Sequence, residues 1–202
     1  MPTLHHAPGT RGIRVLWTLE EVGAPYDVAS EPFPPRTRNP DFLKINATGT
    51  IPAFVEDGRV MTESMAICQH LAEAHARADL QVAPGEDGRA DYLQWLWFGE
   101  ATLSIPTSLM ARVRRLSSPQ GTELLIEDLK LALSLRLGAL EARLQGRDFI
   151  VANRFTLADV SCFYTLLLVE RFALTELLGP NTIAYDARLR LRPALIKALA
   201  VP

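Results

Sequence analysis

Several residues of this 202-residue chain have the type and spacing to do chemistry. Thr62-Glu63-Ser64 opens an apolar helical pattern that continues through Met65, Ile67, Cys68 and Leu71. The free N–H groups and dipole at such a helix start favour an anion, and a plain helix cap is the alternative use of the same residues. Thr48-Gly49-Thr50-Ile51-Pro52 leads into a strand, where local sequence alone reads Pro52 as a strand-start proline. His5, His6 and His70 stand without His, Cys or Asp neighbours at ligand spacing, so they read as structural and no metal is assigned. Cys68 and Cys162 lie far apart in apolar helical surroundings and read as packing sulfur. Arg112, Arg114 and Arg115 form a basic cluster, either a solvated helix face or a site for an anion.

The elements that must position these residues follow from periodicity and punctuation. Thr3 to His6 predicts a strand, Ala7-Pro8-Gly9-Thr10 a loop, and Ile13, Leu16, Trp17 and Leu19 a helix ending at Gly23. Tyr26 to Ala29 predicts a second strand, ended by the proline-rich segment from Glu31 to Pro35, which implies a βαβ unit. A short helical piece spans Asp41 to Ile45, and Asp57-Gly58 between apolar runs predicts a hairpin. Beyond the polar stretch 78–86, with its Pro84-Gly85, every pattern is helical. Tyr92 to Arg115 predicts one long helix bent at Pro106, and Leu124 to Leu144 an amphipathic one. Phe155-Thr156-Leu157-Ala158-Asp159-Val160 predicts a helix start with Thr156 as N-cap, Asp159 in the capping-box position and Phe155 with Val160 placed as a hydrophobic staple. Pro180-Asn181 and Arg192-Pro193 open two short helices. The fold class is therefore α/β plus all-α: residues 1–77 in βαβ–ββα order, a linker 78–86, and a helical domain 87–202.

Composition narrows the partners. The chain is 48% apolar and 22% charged, enough to bury a large core, and its net charge of −2 argues against a nucleic-acid-binding domain. No segment approaches the ~18 apolar residues of a membrane span. No basic region followed by an apolar one opens the chain, which predicts a cytoplasmic protein without a membrane partner.

In this order and spacing the chain resembles the bacterial cytosolic glutathione S-transferases. Five pieces carry the resemblance: Pro8-Gly9-Thr10-Arg11 leading to Arg14-Val15-Leu16-Trp17-Thr18-Leu19-Glu20-Glu21-Val22-Gly23; Asn46-Ala47-Thr48-Gly49-Thr50-Ile51-Pro52; Glu63-Ser64 with Ala66-Ile67; Phe155 to Val160; and Arg188-Leu189 with Arg192-Pro193-Ala194. The resemblance implies a thioredoxin-like N-terminal domain, a helical-bundle C-terminal domain, glutathione as co-substrate and a homodimer. It implies that the Ile51-Pro52 bond is cis and that Ile51 pairs its backbone with the cysteinyl part of glutathione as an added strand would. Ser64 would then bind the γ-glutamyl carboxylate, and Glu63 the α-amino group. A thiol with a pKa near ~8.5 needs hydrogen bonds or positive charge to become a thiolate. By resemblance to serine-type members, Thr10 occupies the donor position, with Arg11 and the helix start as electrostatic support. Many relatives carry a lysine at the position of Thr50 for the glycyl carboxylate; here Lys44, Arg36 or Arg38 could substitute. Ile105, Leu109 and Arg112 would wall the pocket of a small apolar electrophile between the domains. Trp95, Trp97 and Phe98 suit a domain seam or a dimer interface.

The leading functional expectation is a detoxifying transferase in which bound glutathione attacks an electrophile. The alternative is a non-catalytic scaffold of the stringent-starvation type. A maleylacetoacetate-isomerase reading expects a serine pair before the arginine, which Thr10-Arg11-Gly12 does not supply. The missing early cysteine disfavours glutaredoxin-like disulfide chemistry.

Overall fold

The structure, a computed structural model, describes residues 1–115 and 121–202 and divides into two compact units. The first comprises Met1–Gln81 with Arg190–Pro202. Its four-stranded sheet holds β1 (Thr3–His6), β2 (Asp27–Ser30), β3 (Ala53–Glu56) and β4 (Arg59–Met61) in the order β2-β1-β3-β4. β1 and β2 run parallel, with Leu4 opposite Val28, and the connection between them is helix α1 (Gly12–Val22). Parallel neighbours need such a crossover, so the βαβ unit follows from the spacing of the two strands. β3 lies antiparallel to both β1 and β4, placing Phe54 beside Leu4 and Met61. Asp57 and Gly58 join the hairpin with φ values of 47° and 76°, as a type I′ turn requires. This sheet with its helices is the expected thioredoxin-like arrangement.

Every residue of α1 from Gly12 to Leu19 is buried, because the helix packs against β1, against α3 (Ser64–Ala74) and against the C-terminal α9 (Pro193–Leu199). Glu21 fixes that last contact. Its carboxylate accepts Trp17 Nε1–H at 2.9 Å and takes Arg192 in a two-pronged pair at 2.7 and 2.8 Å, while Arg77 donates to its carbonyl. Between β2 and β3 the chain forms a short α2 (Pro35–Arg38) and a 3-10 turn (Pro40–Lys44). The sequence reading placed only the second of these, since a proline-rich run reads as a strand end.

In the second unit, Val82–Leu189, every described element is helical. The expected long helix from Tyr92 to Arg115 is two helices, α4 (Arg89–Trp97) and α5 (Ile105–Val113), joined by a π-helical turn over Phe98–Leu103. Pro106 explains the break. It has no N–H for the carbonyl of Thr102 and its ring would clash there, so it stands in the first turn of α5, where no donor is needed. α6 (Glu123–Leu144) buries Leu129, Leu133, Leu137, Leu140 and Leu144 along one face, yet leaves Leu124, Leu131 and Leu135 exposed, so it is apolar on both sides. α7 (Leu157–Arg171) starts with the expected capping box: Thr156 Oγ1 accepts from Ala158 N–H at 3.3 Å, and Asp159 accepts from the Thr156 amide at 2.8 Å. Asp159 also accepts from Ile150 N–H and from the Tyr185 hydroxyl of α8 (Pro180–Arg190).

The units divide at Gln81, inside the stretch 78–86, and residues from Arg190 onward pack with the first unit, although the sequence reading grouped them with 87–202. Leu80 and Val82 are fully buried, so the stretch is anchored at both ends of that division. Among the described residues no helix is long and apolar enough to cross a membrane.

Candidate functional site

Of the candidate site residues of the first unit, Thr10 and Ser64 make hydrogen bonds to α1. Thr10 is buried, its hydroxyl donating to the Ala7 carbonyl at 2.7 Å and accepting from Gly12 N–H at 3.3 Å. Arg11, partly buried, is the N-cap of α1 in helical conformation. Gly12 is required by its surroundings: a Cβ there would stand 2.2 Å from Nδ1 of His6. His6 is itself buried under α1, and burial pushes its imidazole down to about 4, which keeps the ring neutral.

Ile51 and Pro52 are buried at the head of β3, and the bond between them is cis, as the resemblance implied. Ile51 packs in one apolar cluster with Ala7, Phe42 and Ala53, so the segment that receives the Thr10 proton and the segment expected to pair with a peptide share a core. The loop leading to Ile51 is wound around Asn46. Its Nδ2 donates to the Thr50 carbonyl at 2.8 Å and to Thr50 Oγ1 at 3.2 Å, and its Oδ1 accepts from both the amide and the hydroxyl of Thr48. Thr50 is exposed and its hydroxyl bonds Thr48 Oγ1 at 2.7 Å. Gly49, with φ of 62°, lets this loop lie against α2, since a Cβ would meet Cβ of Arg36 at 2.5 Å. Of the three cations considered as replacements for a lysine, Arg36 lies with its Cβ against Gly49, the neighbour of Thr50; Lys44 is ion-paired to Asp41 at 2.7 Å.

Glu63 is exposed with φ 65° and ψ 101°, a conformation few side chains adopt, and Ser64 begins α3 in a buried position. Ser64 Oγ accepts a hydrogen bond from Arg14 Nη1 at 3.1 Å, and both residues are almost fully buried. Arg14 was not singled out as a site residue from sequence. Its signal was a lone charge among Ile13, Val15, Leu16 and Trp17 in a helix buried on every side.

In the second unit Ile105, Leu109 and Arg112 follow one another at helical spacing and are exposed along one stripe of α5. Trp95 is buried against Phe98, edge to face at 4.8 Å, while Trp97 is half exposed. Two of the four histidines have carboxylate partners: His5 Nδ1 lies 2.8 Å from Glu31, which also accepts from Asn39, and His70 lies 2.9 Å from Glu56. Cys68 and Cys162 are buried and not disulfide-bonded, and burial pushes the Cys68 thiol up to about 12, far from a reactive thiolate.

Known proteins place this arrangement. Residues 12–74 match the glutathione S-transferase N-terminal domain and residues 105–189 the glutathione S-transferase C-terminal domain. The chain is 26% identical over 191 residues to glutathione S-transferase 3 of Schizosaccharomyces pombe, covering 87% of this chain and 77% of that protein. It is 30% identical over 171 residues to elongation factor 1-gamma-A of Xenopus laevis, covering 82% of this chain but only 38% of the frog protein. A glutathione transferase family member from Pseudomonas fluorescens pf-5, solved with two glutathione molecules bound, superposes with a TM-score of 0.86 at 26% identity over 100% of this chain and 93% of that one. With one domain match on each compact unit, the chain belongs to the glutathione S-transferase family.

Proposed function

We propose that the protein binds glutathione and activates its thiol for attack on a small apolar electrophile. The observation that carries this reading is that α1 is tied to α3 by the Arg14–Ser64 bond while the Thr10 loop before it is tied through Ala7 to Ile51. In it the backbone of Ile51 receives the cysteinyl backbone, and Glu63 and Ser64 take the γ-glutamyl amine and carboxylate. Arg36, packed on the Thr50 loop, takes the glycyl carboxylate. The bound thiol loses its proton to solvent and Thr10 donates to the resulting thiolate, with Arg11 and the start of α1 adding positive potential. The thiolate sulfur then forms a bond to the electrophilic carbon, whose leaving group departs with the electron pair or whose π-bond electrons pick up a proton. Ile105, Leu109 and Arg112 are our candidates for receiving that electrophile. The bound glutathione of the Pseudomonas fluorescens relative supports the co-substrate.

Thermal unfolding with and without glutathione tests the reading, on the wild type and on Ser64→Ala. A ligand at ~100 times its dissociation constant adds about 2.7 kcal/mol of stability. A stabilisation that Ser64→Ala loses supports the site, and no shift at high millimolar glutathione overturns it.

A second reading, a non-catalytic scaffold resembling the stringent-starvation proteins, is favoured by two observations: the similarity to elongation factor 1-gamma-A and the engagement of the Thr10 hydroxyl within its own loop. Glutathione binding without turnover of any electrophile would select it.

A further inference from the structure

We propose that Arg14 is a positioning residue for carboxylate recognition: by donating to Ser64 Oγ it leaves the Ser64 proton free to be given to the ligand and sets a fixed positive charge behind that hydroxyl. This inference rests on the glutathione-binding reading above. A serine hydroxyl has one proton and two acceptor lone pairs. With the Arg14 N–H aimed at one lone pair at 3.1 Å, the hydroxyl proton must lie in another direction, so Ser64 faces its ligand as a donor. That is the polarity a carboxylate needs and the opposite of what an ammonium needs.

The arginine is held for this task. Its own carbonyl accepts from the Thr18 hydroxyl at 2.9 Å and from Cys68 Sγ at 3.4 Å, and Cys68 lies one turn beyond Ser64 on α3. α1 and α3 are therefore stitched together at two successive turns, with the guanidinium at one stitch and the Arg14 backbone at the other. Burying a guanidinium for packing alone brings no advantage, since an apolar side chain of similar volume usually serves as well or better. Arg14 also follows the Thr10 loop by one helical turn, so one rigid helix addresses both the thiol end and the γ-glutamyl end of the tripeptide.

The test is a comparison of two ligands by isothermal titration calorimetry: glutathione, and 4-aminobutyrylcysteinylglycine, which lacks only the α-carboxylate. The wild type should prefer glutathione, and Ser64→Ala should lose most of that preference. Arg14→Met, which keeps the volume, should weaken glutathione at least tenfold while changing the analogue less than threefold. A structural role alone would weaken both ligands alike, and equal weakening, or an unchanged preference, overturns the proposal. If Arg14→Met does not fold, Arg14→Lys gives the answer. A lysine keeps the charge but not the planar fork, and should cut the preference at least fivefold; a full preference in Arg14→Lys then overturns the proposal. If instead the wild type binds neither peptide, or Ser64→Ala keeps the full preference, it is the glutathione reading that fails.

Discussion

The Thr10 hydroxyl spends its proton on the Ala7 carbonyl at 2.7 Å while its oxygen accepts from Gly12 N–H at 3.3 Å. For Thr10 to serve a thiolate, the proton must transfer its allegiance from a neutral carbonyl to an anion. That exchange is favourable, because hydrogen bonds to charged acceptors are roughly twice as strong. Thr10→Ala should therefore lower kcat/KM for conjugation by about 10- to 100-fold, the worth of one charged hydrogen bond. The Kd for glutathione should change less than threefold, and Thr10→Ser should recover most of the rate. Steady-state kinetics on several electrophiles check this; unchanged turnover removes Thr10 from the mechanism.

His6 makes the fold sensitive to acid. Its imidazole is pushed down to about 4 by burial, whereas an unfolded chain binds a proton near 6.5. As pH falls below 6.5 the unfolded state takes up that proton and the native state does not, so stability is lost on acidification until about pH 4. The loss attributable to His6 should reach about 2–3 kcal/mol at pH 4.5. Urea unfolding of wild type and His6→Asn should show the gap between them narrowing by that amount from pH 7.5 to 4.5. A constant gap would refute it.

The same ring limits Gly12. A methyl group 2.2 Å from Nδ1 of a buried imidazole has to move a β-strand side chain that has little room. Gly12→Ala should cost about 1–3 kcal/mol by overpacking, and the cost should shrink in a His6→Ala background. Equal costs in both backgrounds, measured by denaturant unfolding, would show that the clash is relieved elsewhere.

Arg36 and Lys44 should separate cleanly. Arg36 lies against Gly49 beside Thr50, while Lys44 is paired with Asp41 in an exposed ion pair. Arg36→Ala should raise the Kd for glutathione about three- to fivefold, the worth of one exposed charge interaction, and the effect should fade at high salt. Lys44→Ala should leave Kd within twofold. A larger effect at Lys44 would place the glycyl carboxylate on the other side of the loop.

Much of this architecture was legible because local signals and tertiary structure agree. The switch from strand to helical period between Thr3 and Gly23 predicted β1 and α1, Asp57-Gly58 predicted the hairpin, and Thr156 with Asp159 predicted the cap of α7. What could not be read depends on partners distant in sequence. The Arg14–Ser64 bond joins residues 50 positions apart, and the Glu21–Arg192 pair joins residues 171 positions apart. Neither changes the period of its own helix. The π-helical turn at Phe98–Leu103 escaped for another reason: a proline announces a break, but the way the preceding turn widens is decided by packing.

Asp159 should prove the costliest polar residue of the second unit. It gathers Ile150 N–H, the Thr156 amide and the Tyr185 hydroxyl, all buried. Asp159→Ala leaves these donors without an acceptor and should cost about 3–5 kcal/mol, whereas Thr156→Ala should cost about 1–2 kcal/mol as a simple cap loss. Chemical denaturation ranks the two; comparable losses would mean that water replaces the carboxylate.

The Arg192–Glu21 pair has a consequence for synthesis of the chain. Because α9 packs on α1 and its N-cap Arg192 closes on Glu21, that flank of the first helix stays bare on the ribosome until α9 has left the exit tunnel. The helical unit is then, topologically, an insertion that can finish folding before the unit that brackets it.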